Sequence, residues 1–432
     1  MEEILTAQFW QSRAPDPDAI IMNNEQIDAF NCEIRSKLPG VIQDLIAYPQ
    51  VISDKKLKHM LLAYRLPPKD FYHKGCRLKP SFFADLLEEM NLAEIEEANH
   101  VAYGYTVRSS VVRSLPTDCL VTEDPADREF DLFQETALSP GEPVIVLHKS
   151  ASERWFFVQT TFCRGWVPAA DLAVTRDRKK WLSYLQSDEF LLVTGSRLHL
   201  GYNPYNPDAS KLEFFMGTRI PLAAEDQIPG VIDNQSPESS YVVKMPGRGK
   251  NGELVIKLAL IPRGSDVAKG YLPYTRSAVI GQAFKMLGER YGWGGMFNLR
   301  DCSAFIRDIY SCFGFQFPRN SREQAAIPGK VISLQGADRR ERSCVLDLLL
   351  PGAILYFPGH VMLYLGKHKG DYYVIHAIAY CSNCVPSVDG VFEAVPLNAV
   401  TVSPLSLRRR RSGQELLMAL TSAIEITLKE HS

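Results

Sequence analysis

The sequence predicts a multidomain α+β protein, with a helical N-terminal region, two small β-barrels and a C-terminal α+β domain that carries the chemistry. Three observations predict it. Apolar residues recur at helical spacing between about residues 23 and 100, where Ile27, Phe30, Ile34 and Leu38 form one stripe and Phe82, Phe83, Leu86, Leu87 and Met90 another. Near Tyr103 the texture changes to short apolar runs broken by turn residues, the signature of small all-β units. After a linker over 262–275, helical and strand patterns mix to the end of the chain. The expected boundaries are 1–124 for a helical N-terminal stabilising region, 125–178 for barrel one, 179–268 for barrel two and 269–432 for the C-terminal domain. A chain of 432 residues exceeds one ordinary core.

Within the helical region, the segment containing Pro67-Pro68 reads as loop. Barrel one is expected from Pro143-Val144-Ile145-Val146-Leu147, Trp155-Phe156-Phe157-Val158-Gln159 and Gly165-Trp166-Val167-Pro168. Barrel two is expected from Phe190-Leu191-Leu192-Val193, Phe214-Phe215-Met216-Gly217-Thr218, Tyr241-Val242-Val243 and Leu254-Val255-Ile256, joined by Gly/Pro/Asn-rich turns. In the C-terminal domain a helix is predicted over 277–290 with Ile280, Phe284 and Leu287 on its buried side, followed by strands near 353–358, 360–366 and 372–378.

The chain is 46% hydrophobic and 23% charged with a formal net charge of −2, which excludes a global basic field for nucleic acid. The run Arg408–Arg411 reads as a solvated turn before a final helix. Nine cysteines do not make a disulfide scaffold, and an odd count leaves at least one thiol free. Cys381 and Cys384 have the CxxC spacing of a metal site, but with no second pair they read as a loop after a strand, so no metal is expected. No apolar run approaches the ~18 residues that would mark a bilayer span, so no integral membrane segment is expected. Met1-Glu2-Glu3-Ile4 is acidic and lacks a signal-type apolar core, giving a cytoplasmic expectation if Met1 is the native start and a periplasmic or cell-envelope one if a signal was removed.

Chemistry concentrates at Tyr291-Gly292-Trp293-Gly294-Gly295 followed by Asp301-Cys302-Ser303-Ala304-Phe305. A glycine-rich turn precedes Asp301, an N-cap residue before the helix-spaced Phe305, Ile306, Ile309, Tyr310 and Phe313. Cys302 then lies in the first helical turn, where free N–H groups and the helix dipole favour a thiolate. His360 and His376 follow on two strand-like runs separated by a turn around 367–371. If Gly366 pairs with Tyr372, Met362 pairs with His376, and the two histidines share a face diagonally. One ring can then take the thiol proton while the other orients it: His360 as base, His376 as orienter or, alternatively, a satisfied core histidine.

These motifs, with Pro318-Arg319-Asn320-Ser321-Arg322-Glu323-Gln324 and Gly359-His360-Val361-Met362-Leu363-Tyr364-Leu365-Gly366, resemble those of the NlpC-type cell-wall cysteine peptidases over roughly the last third of the chain. A weaker likeness extends upstream to members with bacterial SH3-like domains and a helical N-terminal region. The resemblance implies a papain-like α+β peptidase domain preceded by two SH3-like β-barrels. It implies cleavage of the bond between γ-D-glutamate and diaminopimelate or lysine in peptidoglycan stem peptides or muropeptides, through a thioester on Cys302 and without a cofactor. It implies that Tyr291, Trp293, Asp301 and Ser303 shape the substrate pocket, although Asp301 also reads as a simple cap. An acidic residue of the first barrel, Glu135, is expected to meet the free amino end of the stem. Three positions depart from the pattern: Asn320 stands where some relatives carry Asp, Ala304 replaces the commoner Gly, and Ala353 lacks the usual acid after Pro351-Gly352. Two other readings stay open: an amidase or acyltransferase on the same thiol, and an inactive wall-binding module.

Overall fold

The computed structural model describes residues 2–66, 69–382, 393–410 and 412–428. Pro67, Pro68, Cys384 and Arg411, singled out above, lie outside the described residues. The chain resolves into two compact units, one formed by 1–42, 271–291 and 299–432, the other by 43–270 and 292–298.

The first unit is built on a six-stranded antiparallel sheet. Its order is Lys330–Ser333, Ser422–Glu425, Ile354–Phe357, His360–His368, Asp371–Ser382 and Ala394–Pro404. Helices Arg276–Phe284, Cys302–Ser311 and Arg339–Leu348 belong to the same unit, and Cys302–Ser311 packs on the adjacent inner strands His360–His368 and Asp371–Ser382. That helix is strongly amphipathic, with Phe305, Ile306, Ile309 and Tyr310 fully buried. The Arg276–Phe284 helix starts where Thr275 accepts from the Ala278 N–H, and it stops six residues short of the expected 290. Gly288 follows with φ +83, a left-handed conformation incompatible with a continuing helix. The final helix expected after the arginine run is only Leu416–Ala419. It leads into the strand Ser422–Glu425, whose Ala423 and Ile424 are completely buried.

The N-terminal boundary differs from expectation. Residues 1–42 belong to the unit with the six-stranded sheet, and 43–124 to the other. The helix Asn24–Lys37, opened by a capping box of Asn23 and Gln26, directs Phe30 edge-on to Phe315 at 5.4 Å. Its Asn31 brackets the Gly314–Gln316 turn, donating to the Gly314 carbonyl at 2.9 Å and accepting from the Gln316 N–H at 2.8 Å. Periodicity identifies such a stripe, but not the surface that covers it.

The second unit holds a seven-stranded antiparallel sheet in the order Leu172–Thr175, Ala102–Thr106, Pro143–Lys149, Trp155–Gln159, Arg164–Pro168, Ser110–Arg113, Gln134–Leu138. It therefore begins at Ala102, upstream of the expected boundary at 125. The small Gly104 marks why: a Cβ there would stand 2.8 Å from the Ala173 carbonyl oxygen, so the two strands are in close approach. The helix Arg178–Leu185, capped by Asp177, buries Trp181 against this sheet with its indole N–H on the Gly104 carbonyl at 3.1 Å. Strands Phe190–Val193, Arg219–Pro221 and Val267–Lys269, with the hairpins Arg197–His199/Glu213–Phe215 and Ser240–Arg248/Leu254–Pro262, enclose a separate core around Leu191, Phe214, Ile220, Val243 and Ile261.

Candidate active site

Asp301 opens the Cys302–Ser311 helix as its N-cap, accepting from the Ala304 N–H at 2.9 Å. The same carboxylate is gripped by Arg319, with Nη2 to Oδ2 at 2.6 Å and Nη1 to Oδ1 at 3.1 Å, and Arg319 also donates to Ser303 Oγ at 3.0 Å. Ser303 Oγ donates to Asp301 Oδ1 at 3.1 Å. All three residues are buried. Burial pushes the Asp301 carboxyl up, but the Arg319 guanidinium and the Ala304 and Ser303 donors outweigh it and hold the group below the ordinary range. Gln324 completes this support, its Nε2 on the Ser303 and Pro318 carbonyls at 2.8 Å each. Asp301 thus caps the helix and fixes the turn holding the cysteine.

Cys302 occupies the first position of that helix and is 7% exposed. The backbone N–H groups of Ser303 and of Val361, next to His360 on the sheet, both favour its sulfur. Helix and strand therefore meet at the thiol. Burial, reinforced by the Asp301 carboxylate, pushes the thiol up to about 12. The helix N-terminus does not by itself hold a thiolate here, a difference from the expectation drawn from position alone. Tyr291 lies in the same electrostatic neighbourhood: burial first, then Cys302 and Asp301, hold its hydroxyl well above the ordinary range.

The two imidazoles meet. His360 Nε2 and His376 Nδ1 are 2.8 Å apart, and His376 Nε2 lies 3.1 Å from Ser403 Oγ. The register producing this differs from the simple hairpin. Near the turn Gly366 faces Tyr373, one residue off the expected Tyr372; a bulge between Tyr364 and Gly366 then restores the offset, so that Leu363 faces Ile375. His376 is completely buried and held well below its ordinary value by desolvation and by His360, so it is a neutral ring. His360 is lowered to about 4 by desolvation and by Arg409, with Asp301 opposing. A consistent proton order runs from the His360 Nε2–H to His376 Nδ1 and from the His376 Nε2–H to Ser403 Oγ. It leaves His360 Nδ1 as a base.

Three expected site residues remain. Asn320 is the exposed cap residue of the short helix Ser321–Gln324 and makes no side-chain capping bond. Trp293 and Glu135 lie in the second compact unit. Trp293 is 40% exposed, with its indole N–H on the Asp131 carbonyl at 3.1 Å and its ring 5.5 Å from Phe130. Glu135 accepts a short hydrogen bond from Ser114 Oγ, and with Asp131 and Glu123 it adds to the burial that raises Tyr64 to about 12. Arg319, Gln324, Ser403 and Arg409 were not assigned roles from sequence. The first two lie inside a quoted motif, but only the fold turns them beneath the cysteine helix. Ser403 becomes visible only through strand register, where it faces Val374, a neighbour of His376 on the same strand face. Among the described residues no cluster of three or more His, Cys, Asp or Glu could hold a metal, and no helix is long and apolar enough to cross a membrane.

Residues 288–381 match the model of the NlpC/P60 family, and residues 122–168 match the SH3 domain model of the SH3b1 type. The structure is similar to that of a novel NlpC/P60 endopeptidase from Photobacterium damselae subsp. piscicida, with a TM-score of 0.75 and 19% identity, covering 95% of this chain and 94% of that one. The two share a fold. An NlpC/P60 family protein from Bacillus cereus ATCC 10987 aligns at 22% identity with a TM-score of 0.43, over 68% of this chain and 82% of that one. Dipeptidyl-peptidase 6 of Lysinibacillus sphaericus is 32% identical over 93 residues, which are 21% of this chain and span only 30% of that relative's length. The chain is thus a multidomain α+β protein with an NlpC/P60 domain and an SH3b domain.

Proposed function

We propose that this carrier of an NlpC/P60 domain is a thiol peptidase that opens the amide between γ-D-glutamate and a diamino acid, diaminopimelate or lysine, in peptidoglycan stem peptides. The observation that carries the reading is the 2.8 Å imidazole pair on the strands that abut the helix-borne Cys302. Cys302 is the nucleophile, His360 the base and His376 the orienting group. His360 Nδ1 takes the thiol proton as Sγ bonds to the carbonyl carbon, and the oxyanion is received by the Cys302 backbone N–H with the Tyr291 hydroxyl as a second donor. The C–N bond then breaks, and the nitrogen leaves as an amine carrying the proton from His360. A thioester remains. Water, deprotonated by His360, adds to it, releasing a carboxylate and restoring the thiol. His376 accepts from His360 Nε2 throughout, so the base keeps one tautomer without rearrangement. Each step uses a side chain of this protein and draws on no cofactor.

Recognition of a free amino end is assigned to Glu135, whose carboxylate would offset the ammonium of a stem already released from glycan. Trp293, Ser303 and Asn320 are the further substrate-facing positions in this reading, and Asp301 acts through the turn it holds. Incubation of wild type and Cys302→Ala with tri- and tetrapeptide stems, amino ends free or blocked, tests it by product mass. Wild type is expected to release the diamino-acid fragment and to prefer the free amine, while the variant, equally folded by circular dichroism, is inactive. Turnover by Cys302→Ala would remove the nucleophile, and transfer of the acyl group to added amines in preference to water would favour an acyltransferase.

A further inference from the structure

The arginine run that reads as a solvated turn divides its work. Arg408 turns back, donating to the Gly413 carbonyl at 2.6 Å and lying 3.8 Å from Glu415. Arg410 lies over the Tyr380 ring at 4.4 Å. Arg409 goes elsewhere. Its guanidinium sits 4.6 Å over the centroid of Phe357, and that ring stands 5.3 Å from the ring of His360. Its backbone is pinned on three sides: its N–H donates to the Gln414 carbonyl at 2.8 Å, and its carbonyl accepts from Ser382 Oγ at 2.9 Å and from the Gly413 N–H at 3.1 Å. Arg409 is half-buried, and among the described residues no carboxylate lies within ion-pair distance of it.

A guanidinium on an aromatic platform next to the ring of His360, with no counter-ion among the described residues, is suited to receive an anion. Its charge already reaches the imidazole, since Arg409 helps keep His360 neutral. The fully buried arginines of the same unit, Arg319 and Arg300, are each paired with a carboxylate, whereas half-buried Arg409 keeps one side open to solvent and to a ligand. The geometry points to Arg409 as a specificity residue that binds a substrate carboxylate flanking the scissile amide. The inference rests on the reading of the site as a stem-peptide hydrolase. Such a stem offers two carboxylates near the cut: the free α-carboxylate of the γ-linked D-glutamyl residue, and the terminal carboxylate of the diamino acid.

The test compares wild type, Arg409→Gln and Arg409→Lys on three tripeptide stems: the acid form, the form amidated at the D-glutamyl α-carboxyl, and the form amidated at the diamino-acid carboxyl. Wild type is expected to cleave the acid form with kcat/KM roughly 10- to 100-fold above one of the two amides, mainly through KM, as for loss of a charge-assisted hydrogen bond. Arg409→Gln should lose that preference and Arg409→Lys regain part of it, both variants melting like wild type. The amide that matters identifies which carboxylate is held. Equal cleavage of all three stems by wild type, or an equal loss on all three in Arg409→Gln, overturns the inference while leaving the peptidase reading intact. Absence of cleavage of every stem by wild type overturns that reading instead.

Discussion

Asp301, Cys302 and Arg319 decide how the turn that carries the cysteine is built. The Asp301–Arg319 pair is almost fully desolvated, so its two partners are worth little apart. Arg319→Ala leaves a buried carboxylate uncompensated and is expected to cost about 3–5 kcal/mol. Chemical denaturation of Arg319→Ala beside Asp301→Asn/Arg319→Ala tests this, the double variant recovering part of the loss. At the sulfur, a neutral thiol and a neutral imidazole are the resting forms. Exposed Cys32, Cys76 and Cys344 are therefore expected to react with iodoacetamide at pH 7 before buried Cys302, whose rate should climb with pH and show no plateau below about 9. Peptide mapping decides it; first labelling at Cys302, independent of pH, would indicate a preformed thiolate. Because the folded-state value of His360 is lowered to about 4, the imidazole stays a competent base through the weakly acid range, and kcat/KM falls only as pH drops through that value.

Among the elements, the glycine-rich loop is the most constrained. Gly294 and Gly295 have φ of +56 and +80, and a Cβ would stand 2.3 Å from the Gln134 carbonyl oxygen at the first and 2.4 Å from the Ala137 nitrogen at the second. Gln134 Nε2 also donates to the Gly294 carbonyl at 3.0 Å. Gly294→Ala must therefore displace backbone, and a destabilisation of about 2–3 kcal/mol is expected, read as a lowered denaturation midpoint. Much at this scale was legible in sequence. Asp301 announced the cysteine helix through its cap position and the apolar spacing behind it, and the strands bearing His360 and His376 were readable from their apolar runs. The bulge was not, because alternation carries no mark of one extra residue, and neither was Ser403, whose neighbour depends on the register of a third strand. The early strands Ala102–Thr106 and Ser110–Arg113 escaped because Gly104, Ser109 and Ser110 break the apolar run that identifies a strand.

At the scale of the whole molecule, contiguity in sequence is a poor guide to the compact units. Residues 1–42 share a unit with 299–432, more than two hundred positions away. Trp10 packs 5.5 Å from Tyr373, and the Ile21 N–H donates to the Tyr274 carbonyl at 2.9 Å. Removing 1–42 uncovers the surfaces that bury Trp10, Phe30 and Ile34, each worth about 1.5–3 kcal/mol. A chain starting at residue 43 is expected to unfold in calorimetry with one transition strongly lowered and the other in place; unchanged transitions would contradict the shared core. The eight cysteines among the described residues are free thiols, so a reductant should leave both transitions where they are.

The most direct measurement is an acid-quenched intact-mass experiment during turnover of a defined stem peptide. A covalent acyl adduct, mapped by peptide sequencing to Cys302, absent in Cys302→Ala and diminished in His360→Ala, is the predicted result. Product formation in the Cys302→Ala protein, or an adduct on any other residue, would contradict it.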